Sequence, residues 1–306
     1  MERALRTSGR ARAALRLAAA AAALVCFAAC TTVSGTKRTQ FNVLSKDQER
    51  DLGKQAYAQA LGEAGVKTLA SGPDYDRVQR VAKRIEESAQ RLHPDAVKGF
   101  EWQWTVIDDD KTVNAWALPG GRSAVYTGML RMAKTDDELA IVMGHEASHA
   151  IARHSGERIS SDMAIQAALS GASIAMSDMS PATQQATMAA LGVGTQYGMA
   201  LPWSRKQESE ADELGLFIAA DAGYDPRSGP ILWQRMAESH AGEAPPEFMS
   251  THPSDTTRIE RLQKLMRKAM VLYVAAVQRD GGPAPGSTPT GPAEVPPAPA
   301  KKKKAS

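Results

Sequence analysis

Five residues, His145-Glu146-Ala147-Ser148-His149, constrain this chain more than any other feature. They read H-E-x-x-H inside a stretch with the marks of a buried helix. Thr135-Asp136-Asp137-Glu138 has the form of a capping box, which sets a helix start about two and a half turns before His145. Leu139, Ile141, Val142 and Met143 then supply an apolar run that places this helix in a core. Positions i and i+4 lie one above the other on a helix face, so His145 and His149 can reach one metal ion. Glu146 is rotated onto the neighbouring face, beside the place of a metal-activated water. Two histidines and a glutamate are costly to bury unless they are paired or bind metal. The motif points to zinc and a carboxylate base, the equipment for hydrolysing a peptide bond.

Two histidines leave a third protein ligand to find. The metzincin pattern needs Gly and His three and six residues after His149, where this chain has Ala152 and Ser155. That class is excluded. His154 lies nine residues after His145, half a turn away in angle, so it points off the site and reads as a surface or capping histidine near the helix C-terminus. A glutamate from a second helix is the remaining solution, and Glu208-Ser209-Glu210-Ala211-Asp212 offers one. Glu208 and Asp212 are i, i+4 on one face. Glu208 is the expected third ligand, and Asp212 the acceptor for the far nitrogen of a ligating histidine. Glu210, about 200° round the helix from Glu208, is expected to face elsewhere.

Four segments together resemble a known family. They are Val113-Asn-Ala-Trp-Ala-Leu-Pro-Gly-Gly121, Gly144-His-Glu-Ala-Ser-His-Ala-Ile-Ala-Arg-His154, Ser204-Arg-Lys-Gln-Glu-Ser-Glu-Ala-Asp-Glu-Leu-Gly215 and Ser250-Thr-His-Pro253. The chain resembles the HtpX-like zinc metalloproteases, gluzincins that include the CAAX prenyl endopeptidase, and within them the periplasmic lipoprotein type typified by LoiP and BepA. The resemblance covers about Phe41 to Met270. It implies one zinc held by His145, His149 and Glu208, with Glu146 as general base. It also implies that His252 approaches the metal, either as a fourth ligand that switches the enzyme off or as a hydrogen-bond donor in the transition state. Read from its residues alone, His252-Pro253 is a turn before the last helix. Val113-Asn114-Ala115-Trp116 resembles the edge strand on which gluzincins bind substrate. The Asn114 side chain and Ala115 backbone are then expected nearest the scissile bond.

The ends of the chain have a different character. Five arginines precede a thirteen-residue apolar stretch, Leu17 to Ala29, too short to span a bilayer comfortably. This is a signal peptide over residues 1–29. Phe27-Ala28-Ala29-Cys30 is similar to a lipobox, although Phe27 stands where leucine is usual; plain secretion is the alternative. Lipidation of Cys30 would anchor the protein to a membrane, and Thr31 after the cysteine favours the outer membrane, inner leaflet. The only other cysteine, Cys26, lies in the same segment, so the folded part has neither disulfide nor thiolate ligand. Residues 1–29 carry +4 and residues 280–306 carry +2, so a total of +3 leaves the middle at −3. The basic balance comes from the ends, so nothing in the charge argues for a nucleic-acid-binding face. From Gly281 the chain is rich in Gly, Pro and Ala and ends in Lys301 to Lys304, the composition of a disordered tail.

Residues 30–44 are expected as a lipidated linker and 45–279 as the zinc domain, with 43% hydrophobic residues sufficient for a core. The expected fold class is α+β, mostly helical and zincin-like. Ser45-Lys-Asp-Gln48 caps a helix to about Leu61, and Val78, Val81, Ile85 and Leu92 mark a second. Strands are expected at Phe100–Asp108, Val113–Leu118 and Arg122–Thr127. Ser161 to Trp203 is Ala-, Gly- and Met-rich and reads as helical in pieces around Pro181. Helices near Gln207–Asp221, Ser228–Ala241 and Ser254–Val277 complete the domain. The function that follows is a zinc-dependent endopeptidase of the cell envelope acting on unfolded or misfolded envelope proteins. A chaperone or assembly factor for outer-membrane proteins, working with the assembly machinery and restrained in proteolysis, is the alternative.

Overall fold

The computed structural model describes residues 30–175, 201–239, 248, 252 and 257–287. The signal segment 1–29, the Met-rich stretch 176–200 and the tail from 288 with Lys301–Lys304 lie outside the described residues. Those described form an α+β fold, mostly helical, with one four-stranded and one two-stranded sheet.

A short hairpin opens it, β1 (Cys30–Thr32) against β2 (Thr39–Phe41). This corrects the expectation of a linker over 30–44. Val33 is buried with Ala152 and Leu214, and Thr36 and Arg38 reach carboxylates far along the chain. Two three-residue strands carry no periodicity, and their anchors are long-range, so the sequence does not announce them. Helix α1 (Lys46–Gly62) starts at the expected box. Ser45 Oγ accepts from the Gln48 N–H at 3.2 Å, and the Ser45 N–H donates to Gln48 Oε1 at 2.9 Å.

After β3 (Thr68–Leu69), helix α2 (Pro73–Leu92) buries Val78, Val81 and Ile85 completely. A short α3 (Pro94–Val97) leads into β4 (Gln103–Ile107), β5 (Ala115–Ala117) and β6 (Arg122–Tyr126). The sheet order is β3-β4-β6-β5, with β4 parallel to β6 and β5 antiparallel to it at one edge. The β5–β6 turn needs Gly120 and Gly121, whose φ values of 88° and 90° lie in the left-handed region.

Short α4 (Thr127–Met132) precedes α5 (Asp136–Ile151), the motif helix, every residue of which is buried. Its cap is half of the expected box. Thr135 Oγ1 accepts from the Glu138 N–H at 3.2 Å, but Glu138 turns its carboxylate to the Lys134 N–H and to Arg235. The chain then breaks at Arg153, at φ 58°, before α6 (His154–Ala175). A non-glycine residue costs about 1–2 kcal/mol there. Glu49 of α1 and the Leu44 carbonyl hold the Arg153 guanidinium at 2.7–3.0 Å, which offsets that cost.

Helix α7 (Leu201–Asp221) starts six residues earlier than expected, and α8 (Ser228–Glu238) ends three earlier. Helix α9 (Arg258–Asp280) ends at Gly281, which adopts φ 74°. Residues 281–287 then correct the expectation of disorder from 280. Ala284 is buried and donates its N–H to the Gly223 carbonyl at 2.9 Å, while Ser287 Oγ donates to Asp137 at 2.6 Å. No helix among the described residues is long and apolar enough to cross a membrane.

Candidate metal centre

Backbone contact between two helices builds the site. A Cβ on Gly144 of α5 would lie 2.7 Å from the Gly215 carbonyl oxygen of α7, and one on Gly215 would lie 2.6 Å from the His145 nitrogen. Only glycines permit this approach. It brings Glu208 of α7, one and a half to two turns before Gly215, over the face of α5 that carries His145 and His149.

The ligating atoms of His145, His149, Glu208 and His252 all lie within 4.8 Å of one another, in a buried cluster. His145 Nε2 is 3.1 Å from His149 Nε2, 3.3 Å from His252 Nδ1 and 3.4 Å from Glu208 Oε2. His149 Nε2 is 3.5 Å from Glu208 Oε1, and His252 Nδ1 is 3.2 Å from Glu208 Oε2. Ligand atoms around tetrahedral zinc stand about 3.3 Å apart, so these four side chains fit one zinc ion. Glu146 lies beside them. Its Oε1 is buried without a hydrogen-bond partner and faces His252 Nε2 at 3.5 Å. A buried, unsatisfied carboxylate oxygen is costly in a fold but useful as a proton acceptor at a reacting centre.

The electrostatics divide the two motif histidines. Burial works against a charged His145, yet hydrogen bonds to Asp212 and Glu208 outweigh it and push the imidazole up to about 9. Burial dominates at His149 and holds it well below the ordinary value. Burial also raises Glu146. Glu208 resists the same burial because His145 and His252 hydrogen-bond to it, and it stays well below the usual carboxylate range.

The outer nitrogen of each motif histidine has a partner. His145 Nδ1 meets Asp212 Oδ1 at 3.0 Å, the contact expected for Asp212. Buried Arg258 donates to the same oxygen at 2.6 and 3.0 Å and stacks 3.4 Å over the Trp233 ring. One expectation fails at His149. His154 does not sit at the surface: it is fully buried, with Nδ1 at 2.9 Å from His149 Nδ1. Glu210 stands off the ligand cluster, as its angle on the helix implies, and its Oε2 lies 3.0 Å from His154 Nε2. The angular argument assumed that α5 runs on through residue 154. The left-handed turn at Arg153 instead folds His154 back beneath His149, and no glycine or proline marks that turn. Arg258, six residues after His252, carried no signal beyond its place in the first turn of the last helix.

Strand β5 lies beside the cluster. Asn114 O accepts from the Tyr126 N–H and the Leu118 N–H donates to Arg122 O, so residues 114, 116 and 118 bond toward β6. The backbones of Ala115 and Ala117 therefore face the other edge. There the Ala117 backbone lies near enough to the Glu146 carboxyl to favour its charged form, while the Ala115 N–H is covered by Asn114 Oδ1 at 2.9 Å. Phe248 stacks on His252, and its N–H donates to the Val113 carbonyl at 3.2 Å. Cys30 is exposed at the start of β1 and is not among the residues gathered at the cluster.

A buried H-E-x-x-H helix completed by a glutamate from a second helix defines a zinc metallopeptidase site. A model of Peptidase family M48 matches residues 75–266, and the chain belongs to that family. Peptidases of this family depend on zinc. The chain is similar to mitochondrial metalloendopeptidase OMA1 of Schizosaccharomyces pombe, 36% identical over 239 residues that cover 77% of this chain and 66% of that protein. It is 35% identical to OMA1 of Arabidopsis thaliana over 195 residues, 62% of this chain and 37% of that one. It is 29% identical to the beta-barrel assembly-enhancing protease of Escherichia coli over 229 residues, 71% of this chain and 44% of that protein. The chain thus spans between 37% and 66% of the length of these three relatives.

Proposed function

We propose that this chain is a zinc endopeptidase of the bacterial cell envelope that hydrolyses unfolded or misfolded envelope proteins. His145, His149 and Glu208 would hold the metal, and zinc bound there would supply Lewis acidity that makes water nucleophilic near neutral pH. Glu146 takes the water's proton through its unsatisfied Oε1 and can return it to the leaving amine. The observation that carries the substrate reading is the edge position of β5 beside Glu146, with β6 as its one strand neighbour among the described residues. An extended peptide pairing with Ala115 and Ala117 is held by its main chain, which every unfolded protein offers. The Asn114 side chain must release the Ala115 N–H for that pairing to form.

Phe248 and His252 support one of the two roles open for His252. Its Nδ1 stands in the ligand set, and Phe248 occupies the Val113 carbonyl next to the edge strand. Both features favour a fourth ligand that closes the site until substrate displaces it. A site restrained in this way also keeps the assembly-factor reading open, and the name of the Escherichia coli relative supports it. The envelope location rests on the N-terminal sequence, because the mitochondrial relatives are more similar to this chain than the bacterial one. Lipidation of Cys30 would supply the membrane anchor, and an unmodified mature N-terminus by mass spectrometry would exclude it.

Changing Glu146→Gln tests the activity. The variant is expected to bind zinc as the parent does while its hydrolysis of an unfolded model protein falls by at least about a hundredfold. Undiminished cleavage would remove Glu146 as the base.

A further inference from the structure

We propose that His154 is a positioning residue of the zinc centre, which fixes His149 in the orientation and tautomer that present Nε2 to the metal. The inference rests on His149 being a zinc ligand. His149 Nε2 faces the cluster and must keep its lone pair for zinc, so the ring proton sits on Nδ1. Among the described residues that nitrogen's hydrogen-bond partner is His154 Nδ1 at 2.9 Å, which must accept. His154 therefore carries its own proton on Nε2 and donates it to Glu210 Oε2 at 3.0 Å. The reverse polarity would place a proton on His149 Nε2, where the metal binds. A carboxylate cannot donate, so Glu210 sets the direction of the whole relay.

Glu210 is in turn fixed by the N-terminal hairpin. Arg38 Nε donates to its Oε2 at 2.8 Å, and Thr36 Oγ1 donates to its Oε1. The remaining nitrogens of Arg38 grip buried Glu157 at 2.6 and 2.8 Å, and Gln207 donates to that carboxylate at 2.9 Å. No polar atom of the relay lacks a partner, as a low-dielectric interior demands. A histidine filling space in a core needs no such directed chain. The zinc site is thus supported from residues that directly follow Cys30, outside the matched span 75–266.

The test compares His154→Gln with His154→Leu, reading zinc affinity by chelator competition and the visible spectrum of the cobalt-substituted protein. Glutamine can accept from His149 and donate to Glu210, whereas leucine only fills the space. His154→Leu is expected to bind zinc ten- to a hundredfold more weakly, with a shifted cobalt spectrum and a lower kcat at unchanged KM. His154→Gln should recover most of the affinity. A folded His154→Leu variant with affinity and spectrum like the parent's would overturn the proposal. Should His154→Leu not fold, Glu210→Leu, which cannot accept from His154, serves: zinc binding as tight as the parent's there is equally fatal. His149→Ala runs alongside, and zinc binding retained in that variant would overturn the ligand assignment itself and the relay with it.

Discussion

The two histidines of the motif sit one turn apart on the same helix, yet they are supported by different parts of the molecule. His145 has a short arm: one hydrogen bond to Asp212, whose charge is balanced by Arg258 lying flat on Trp233. His149 has a long arm through a second imidazole and Glu210 to Arg38 on the opening hairpin. The helical period explains the difference. Asp212 is one turn from Glu208 and shares its face, so α7 supplies a ligand and a support together. Glu210 lies on another face and cannot reach His149 directly, and an imidazole fills the gap. The short arm lies wholly inside the matched family span, and the long arm draws on the hairpin before it.

Arg258→Ala breaks the comparison hardest. It leaves Asp212 buried against His145 alone, with its other oxygen already lacking a partner. A loss of about 3–5 kcal/mol in urea unfolding is expected, together with weaker zinc binding. A loss below about 1 kcal/mol would show that the short arm is not held by its arginine.

The long arm should yield less to the matching change. Arg38 retains 23% side-chain exposure, so solvent screens its pairs, and Glu210 keeps Thr36 and His154 as partners. Arg38→Ala is expected to cost about 2 kcal/mol by the same measurement. Equal losses in the two variants would mean that exposure does not distinguish the arms.

The same contrast governs what the sequence disclosed. His145, Glu146 and His149 were legible from helical spacing, and Glu208 and Asp212 from their i, i+4 spacing once paired with that motif, because all five lie on two regular helices in direct contact. The α+β class and the caps at Ser45 and Thr135 were legible for the same local reason. His154 was misplaced because one left-handed residue, Arg153, breaks a helix that spacing arguments take as continuous. Thr36, Arg38 and Arg258 were invisible, since their partners are set by tertiary packing and not by any local pattern. Residues 281–287 looked like tail because their composition is poor in apolar side chains. Two backbone and side-chain hydrogen bonds and one buried alanine were enough to seat them.

The smallest expected effect is in the protonation of the two arms, and it needs no mutation. In protein stripped of zinc by a chelator, His145 titrates at about 9, since Asp212 and Glu208 outweigh the burial that opposes its charge. His149, where burial dominates, stays well below its ordinary value. An unfolded histidine titrates near about 6.5. The raised group contributes stability that is complete below that value and is lost as pH rises through about 9. The depressed group acts in the opposite sense: below about 6.5 the unfolded chain binds the proton more readily, so stability falls with falling pH. The zinc-free protein should therefore be most stable, as far as these two groups decide it, near about 6.5, and should lose stability both below that value and as pH rises from it to about 9. At neutral pH zinc must also displace a proton from His145 but none from His149, so affinity should rise with pH through the short arm alone. NMR titration of the two ring Cε1–H signals measures this directly. One signal should move near pH 9 and the other only in acid. Two histidines titrating together near about 6.5 would show that the arms, for all their difference in architecture, do not differ in charge.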